Sequence, residues 1–317
     1  MLERKKVGLA LGGGGARGIA HIGVLKALEK HKIPIDFISG TSIGALIGAM
    51  YSAQPNAKKL EKEILETKWQ DLFDYKIPSD GLIKGMKIEK FLEEKLDKLK
   101  FNQLKIPLFV TSYDLEKKQE VIFQKGDVAA AIRASISIPG IFVPAENSGR
   151  LLVDGGIVDL IPVEILRKKG AESIIAVNAD YIREKKPILG QNSVPSYGKR
   201  KIPGIIHTLT KSLQVIEAEA SKTELSISRP DLLINLNLEE IPTLDFSNMK
   251  KLIRKGELAT NRTIKQLKKL TNPNPIKEIL EGISSIPLVK GVEKNIGKVA
   301  EDIRELAVGK SSPADKS

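Results

Sequence analysis

Between residues 36 and 50 the chain reads DFISGTSIGALIGAM. An apolar strand gives way to an apolar helix across two glycines, and neither side of the junction offers a polar face. A strand without alternating polarity is buried on both faces, as parallel strands covered by helices are. Gly44, Ala45, Gly48 and Ala49 are small enough to let the helix lie close to such a sheet. The longest uncharged run, Phe37 to Ala57, is interrupted by Ser39, Gly40, Thr41, Ser42, Ser52, Gln54 and Pro55. A membrane helix takes roughly 20 mainly apolar residues, so a buried strand–turn–helix is expected here.

Strand and helix patterns alternate along most of the chain. KVGLALGGGG reads as a strand running into a glycine loop. IAHIGVLKALEK follows with Ile19, Ile22, Val24, Leu25 and Leu28 at helical spacing. Residues 58–99 carry a charged helical pattern around the loop YKIPSDGLIKG. IPLFVTSYDL and QEVIFQKG read as two strands joined by a turn, and VAAAIRASISIPGIF as a small-residue helix stopped at Pro139. GRLLVDGGIVDLIP is a strand broken by two glycines, followed by a helix and a buried strand in PVEILRKKGAESIIAVNAD. Residues 181–204 read as a mobile loop and 205–226 as a long helix. DLLINLNL is a last strand, and SNMKKLIRKGELATNRTIKQLKKL a surface helix. The expected fold is α/β: three layers, α/β/α, with a central, mostly parallel sheet.

Composition narrows the chemistry. There is no cysteine among 317 residues, so disulfides, thiolate metal sites and cysteine nucleophiles are excluded. A cytoplasmic setting is the expectation. The apolar stretch Val7 to Leu11 is shorter than the 7–15 residues or so of a signal peptide's apolar region. The net charge is +12, which suits a lysine-rich solvated surface or peripheral contact with an anionic membrane. Aromatics are only 4% and no nucleic-acid motif is present, so no nucleic-acid partner is expected.

Ser42 stands in G-T-S-I-G, with Gly40 and Gly44 on either side. Alone, that pattern arises by chance in roughly one chain in ten of this length. On a strand-to-helix turn it fits a nucleophile elbow, where the backbone is strained and flanking side chains must be absent. A packing turn without chemistry remains the competing explanation. GGGGARG, Gly12 to Gly18, also has two explanations. Gly13, Gly15 and Gly18 match the dinucleotide fingerprint, which also wants an acid at the end of the next strand. Asp36 is the nearest acid and lies at that strand's start. Alternatively, the amides of Gly13, Gly14 and Gly15, aimed by a helix N-terminus, cradle the oxyanion of an acyl-transfer intermediate. Arg17 would add positive potential or face solvent.

A serine nucleophile needs a base. The histidines are His21, His31 and His207. His207 completes the order Ser42, Asp154, His207, but it sits in an amphipathic helix with no turn to present it, as a surface or half-packed residue would. Asp154 ends a buried strand and is followed by Gly155 and Gly156. A desolvated carboxylate there could act as the base itself, or could simply cap a turn.

GGGGARG, GTSIG, ASISIPGIFVP and DGG, in that order, closely resemble the motifs of the patatin-like phospholipases. The resemblance is strong over Val7 to Val163 and looser to about Leu270. It implies a lipid acyl-ester hydrolase of the phospholipase A or lysophospholipase type, with a Ser42–Asp154 dyad, an oxyanion hole at Gly13, Gly14 and Gly15, and no metal or cofactor. Arg17, Gly18, Gly40, Gly44, Gly155 and Gly156 support the motifs. The implied substrate is a phospholipid or other acyl ester. The domain division is then 1–271 for the catalytic domain, with its motif-bearing core at about 7–166, and 272–317 for an amphipathic tail whose end is disordered. The rivals are a nucleotide-binding oxidoreductase using the glycine loop and a non-catalytic membrane-surface protein.

Overall fold

The strand β1 (Val7–Leu11) is buried along its whole length and feeds two cores. Val7, Leu9 and Leu11 point into one, Ala10 into the other. That division is what a strand covered on both faces requires. The structure, a computed structural model, describes residues 4–72, 83–96, 98–180 and 205–271. Lys5–Thr271 forms one compact unit. The loop expected over 181–204 and the tail expected over 272–317 lie outside the described residues.

After β1 come α1 (Ala20–Lys30), β2 (Phe37–Thr41), α2 (Ile43–Ala53), α3 (Ala57–Glu66), the single turn α4 (Trp69–Leu72) and α5 (Met86–Leu96). β3 (Leu108–Asp114), β4 (Gln119–Phe123), α6 (Val128–Ser135), β5 (Ala145–Asn147) and β6 (Arg150–Asp154) follow. Then come α7 (Val163–Lys168), β7 (Ser173–Asn178), α8 (Ile205–Ser228), β8 (Leu232–Asn235), α9 (Met249–Arg262) and α10 (Ile264–Thr271). Eight strands form one sheet, ordered β5-β6-β3-β2-β1-β7-β8, with β4 also paired to β3. The pairs β1–β2, β1–β7, β2–β3 and β7–β8 are parallel; β3–β4, β3–β6 and β5–β6 are antiparallel. Residues of α1, α2, α3, α5, α6 and α9 pack with Leu9 and Leu11 on one face. Val163, Leu166 and Leu225, from α7 and α8, pack on the other. The expected three-layer arrangement is therefore present.

Three local expectations change. The helix expected to run up to Pro139 ends at Ser135, because Ile136 turns out of the helix at φ −95 and ψ 6. β5 was not anticipated; it is only three residues long and pairs with β6 across a tight turn at Ser148 and Gly149. The last helical stretch divides into α9 and α10 at Thr263.

One register positions everything discussed below. β2 pairs with residues 108–111 of β3, ending at Thr41 opposite Thr111. β6 pairs with residues 112–114, ending at Asp154 opposite Ser112. β4 pairs with 110–114, overlapping both. A strand has two edges, so β4 occupies one edge of β3 while β2 and β6 share the other. β2 is parallel to β3 and β6 antiparallel, so their carboxyl ends meet head to head.

The junction is tight at Gly155, where a Cβ would stand 2.7 Å from the carbonyl carbon of Thr111. We expect Gly155→Ala to destabilise the protein by about 1–3 kcal/mol through overpacking, read as a lowered midpoint in thermal or denaturant unfolding.

Candidate active site

Ser42 follows β2 and precedes α2, in a conformation, φ 56 and ψ −127, that non-glycine residues avoid. Such strain costs on the order of 1–3 kcal/mol and persists only when neighbours over-determine it. Two contacts do so. The Ser42 N–H donates to Ser135 Oγ at 2.8 Å, and Ser135 Oγ donates to the Thr111 carbonyl at 2.6 Å. The elbow is thereby tied through the end of α6 to the middle of β3. Gly44 permits the next turn of α2 to approach, since a Cβ there would lie 2.1 Å from the Leu11 carbonyl oxygen.

Asp154 arrives from the opposite direction. It is 2% exposed. Its N–H donates to the Ser137 carbonyl at 3.0 Å, and its Oδ1 accepts from the Gly156 N–H at 2.8 Å. Burial raises its pKa to about 6, held back by hydrogen bonds from the Ser42 side chain and the Gly156 amide. The two strand ends thus bring Ser42 and Asp154, 112 positions apart in sequence, to the wall of one cavity.

The glycine loop lies beside them: a Cβ on Gly13 would stand 3.5 Å from Ser42 Cβ. The Gly13 amide, however, donates to the Leu160 carbonyl at 3.0 Å, which removes it from the donor set expected of Gly13, Gly14 and Gly15. Among the described residues, nothing accepts from the amides of Gly14 and Gly15. Both adopt positive φ, 135 and 56, and Gly15 packs against Thr243 so closely that a Cβ would meet its carbonyl oxygen at 2.3 Å. Arg17 neither faces solvent nor reaches the serine. It is buried, paired with Asp180 beyond β7, and donates from Nε to the Ile241 carbonyl at 2.8 Å. It ties the glycine loop to the 241–244 segment. Gly18 lets α2 approach, with a Cβ there 2.1 Å from Ile43 Cγ2.

The histidines are elsewhere. His21 is fully buried and its Nε2 donates to the Gly12 carbonyl at 2.7 Å. Burial lowers its pKa to about 4, so it is a neutral brace for the loop. His31 Nε2 meets Asn261 Oδ1 at 2.9 Å. His207 lies in α8, and its side chain is outside the described residues. Asp36 accepts from the Val7 N–H at 2.7 Å, at the start of β1 and so at the sheet edge opposite the glycine loop. It does not take the ribose-binding position of a dinucleotide fold.

A narrow cavity of ≈ 30 Å³ adjoins Ser42, Asp154, Gly14 and Gly15. α8 closes it with Leu213, Gln214 and Glu217, and Leu244 stands at its edge, 46% exposed. Sequence reasoning missed Ser135, although ASISIPGIFVP was singled out. It also missed Asp180 and Glu217, which no motif marks. Among the described residues no group of His, Asp and Glu is arranged to hold a metal ion, and no helix is long and apolar enough to cross a membrane.

Ser42 at its strand-to-helix elbow and the buried Asp154 thus share one cavity on a three-layer α/β/α fold. The family model for Patatin-like phospholipase matches residues 9–167, and the chain belongs to that family. Over 195 residues it is 36% identical to lysophospholipase NTE1 of Candida albicans, covering 59% of this chain and 14% of that protein. Over 273 residues it is 30% identical to the lysophospholipase NTE1 of Meyerozyma guilliermondii, covering 81% and 19%. The chain therefore spans less than a fifth of the length of these yeast relatives. A patatin-like phospholipase domain-containing protein of Caenorhabditis elegans is 33% identical over 192 residues, 58% of this chain and 14% of that one. In fold it is similar to VipD from Legionella pneumophila, with a TM-score of 0.52, 17% identity, and coverage of 83% of this chain and 67% of VipD.

Ser135→Ala would leave the buried Ser42 N–H without its acceptor, at a cost of about 1–3 kcal/mol. We expect lowered stability together with a fall in kcat larger than any change in KM, measured by unfolding and steady-state kinetics with a soluble ester.

Proposed function

We propose that this chain is a serine acyl hydrolase of lipid esters, of the phospholipase A or lysophospholipase type, working through a Ser42–Asp154 dyad. The observation that carries this reading is that Ser42 and the desolvated Asp154, its pKa raised to about 6, line the same cavity. An exposed aspartate is too weak a base to take a serine proton, and burial removes part of that deficit. The family membership and the yeast relatives named lysophospholipase support a lipid ester as the substrate.

In the proposed mechanism, Asp154 accepts the hydroxyl proton as Ser42 Oγ attacks the ester carbonyl. The amides of Gly14 and Gly15 hold the resulting oxyanion, with the N-terminus of α2 adding positive potential. Asp154 then gives its proton to the departing alcohol oxygen. Water enters, Asp154 takes one of its protons, and the acyl-enzyme is cleaved as Ser42 recovers a hydrogen. We assign this chemistry to residues 1–271. Peripheral contact with an anionic membrane, in a cytoplasmic setting, belongs to the same proposal and rests on the net charge of +12 and the cysteine-free sequence.

We expect Ser42→Ala and Asp154→Asn each to abolish hydrolysis of a soluble p-nitrophenyl ester, while His207→Ala keeps most of it. An inert His207→Ala with an active Asp154→Asn would refute the dyad. Because Asp154 must be ionised to accept a proton, kcat/KM should fall as pH drops through about 6. A profile flat from pH 7 to pH 5 would contradict its role as the base.

A further inference from the structure

Two carboxyl groups of the cavity wall, Asp180 and Glu217, are not used by acyl transfer between Ser42 and Asp154. Glu217 projects from the inner face of α8. Its Oε1 and the Oδ1 of Asp154 each stand 3.2 Å from the point where a Cβ on Gly156 would sit, so the two carboxyls line one corner. The other polar groups of the wall are engaged: Asp180 by Arg17, and the Gln214 amide by the Thr243 hydroxyl. Among the described residues no hydrogen bond or ion pair engages Glu217. Its burial, and the charges of Asp154 and Asp180 nearby, raise its pKa to about 8. The raised pKa favours the uncharged acid at neutral pH, one donor and one acceptor in a half-buried setting.

An unpaired polar group in such a place favours a ligand that pairs with it and penalises one that does not. The dyad says where that ligand group lies. With the carbonyl carbon at Ser42 Oγ, the departing oxygen must face Asp154, which protonates it. The carbons of the alcohol then extend along the Asp154 side, into the corner of Glu217. A phosphate there would meet Asp154 and Asp180, two carboxylates. A hydroxyl matches a neutral acid in both senses, as donor and acceptor. Resting on the acyl-hydrolase reading above, we propose that Glu217 determines specificity by hydrogen-bonding the free hydroxyl next to the scissile ester of a monoacyl glycerolipid, so that the site selects monoacyl over diacyl substrates. A diacyl lipid places an ester and a second chain in that corner, with no hydrogen to donate. α8 must move outward to admit any glycerolipid, and Glu217 is the α8 carboxyl that meets it.

The test uses the full chain and three substrates in the same mixed micelles: palmitoyl-lysophosphatidylcholine, its 2-deoxy analogue, and dipalmitoyl phosphatidylcholine. The readout is the ratio of kcat/KM values within each protein, which does not depend on the fraction of enzyme that is active. The wild type should prefer the hydroxyl-bearing lipid over its deoxy analogue by about 10- to 100-fold. Glu217→Leu should bring that ratio to within about twofold and raise the relative rate on the diacyl lipid. Glu217→Gln, which keeps a hydrogen-bonding group of the same shape, should retain an intermediate preference. A wild type without preference, or a ratio unchanged in Glu217→Leu, overturns the proposal. p-Nitrophenyl butyrate separates the two levels of the argument. If the wild type turns over that ester and the lipids without discrimination, only the role of Glu217 fails; if it turns over no ester at all, the acyl-hydrolase reading fails with it.

Discussion

The site depends on one edge of β3 being shared by two strands that approach from opposite ends. β2 gives out at Thr41 opposite Thr111, and β6 gives out at Asp154 opposite Ser112. Two carboxyl-terminal strand ends therefore meet within a single residue step of the same ladder. In an all-parallel sheet every strand end lies along one border, and a partner for Ser42 would have to come from a neighbouring loop. Here the antiparallel entry of β6 delivers Asp154 on a hydrogen-bonded strand, buried and held by backbone contacts on both sides. That rigidity suits the proposed two-residue system, in which the serine has no imidazole to adjust the distance.

Around this junction the polar groups are spent on holding the backbone. Ser135 receives the Ser42 amide and passes its own hydrogen to Thr111. The carbonyl of Ser137 takes the Asp154 amide. Arg133 reaches the hydroxyl of Ser137 at 2.6 Å and the carbonyls of Lys84 at 2.7 Å and Val143 at 3.1 Å, fixing the turn after α6. His21 holds the Gly12 carbonyl and Arg17 the Ile241 carbonyl, bracing the glycine loop. The side chains of Ser135, Ser137, Arg133, His21 and Arg17 are buried, where an unmade hydrogen bond is costly. The strained serine conformation is thus maintained by a shell of hydrogen-bonded neighbours rather than by local preference.

Much of this was legible in the sequence. The apolar run over DFIS, the small residues of α2 and the glycines flanking Ser42 encode a buried strand, a close-packed helix and an open elbow, because each is a local consequence of side-chain size and polarity. DGG at a strand end marks Asp154 for the same reason. The direction in which β6 enters the sheet is not local: nothing in GRLLVDGG distinguishes parallel from antiparallel pairing, and the short β5 that turns the chain around carries only three residues. The fate of individual donors was equally hidden. Gly13, Gly14 and Gly15 are the same letter, but Leu160, some 147 positions later, engages the first of them. Glu217 lies in a helix whose pattern is amphipathic with charged residues on several sides, so only its packing over Gly156 distinguishes it from Glu219.

The central claim is that Asp154 alone makes the Ser42 hydroxyl nucleophilic. Fluorophosphonate labelling followed by peptide mapping addresses it directly, because the reagent reacts with activated serines and requires no choice of substrate. The account predicts that wild-type protein is labelled at Ser42, and that Asp154→Asn, still folded, is labelled at least about 100-fold more slowly. Labelling at another serine, or an undiminished rate at Ser42 in Asp154→Asn, would contradict it.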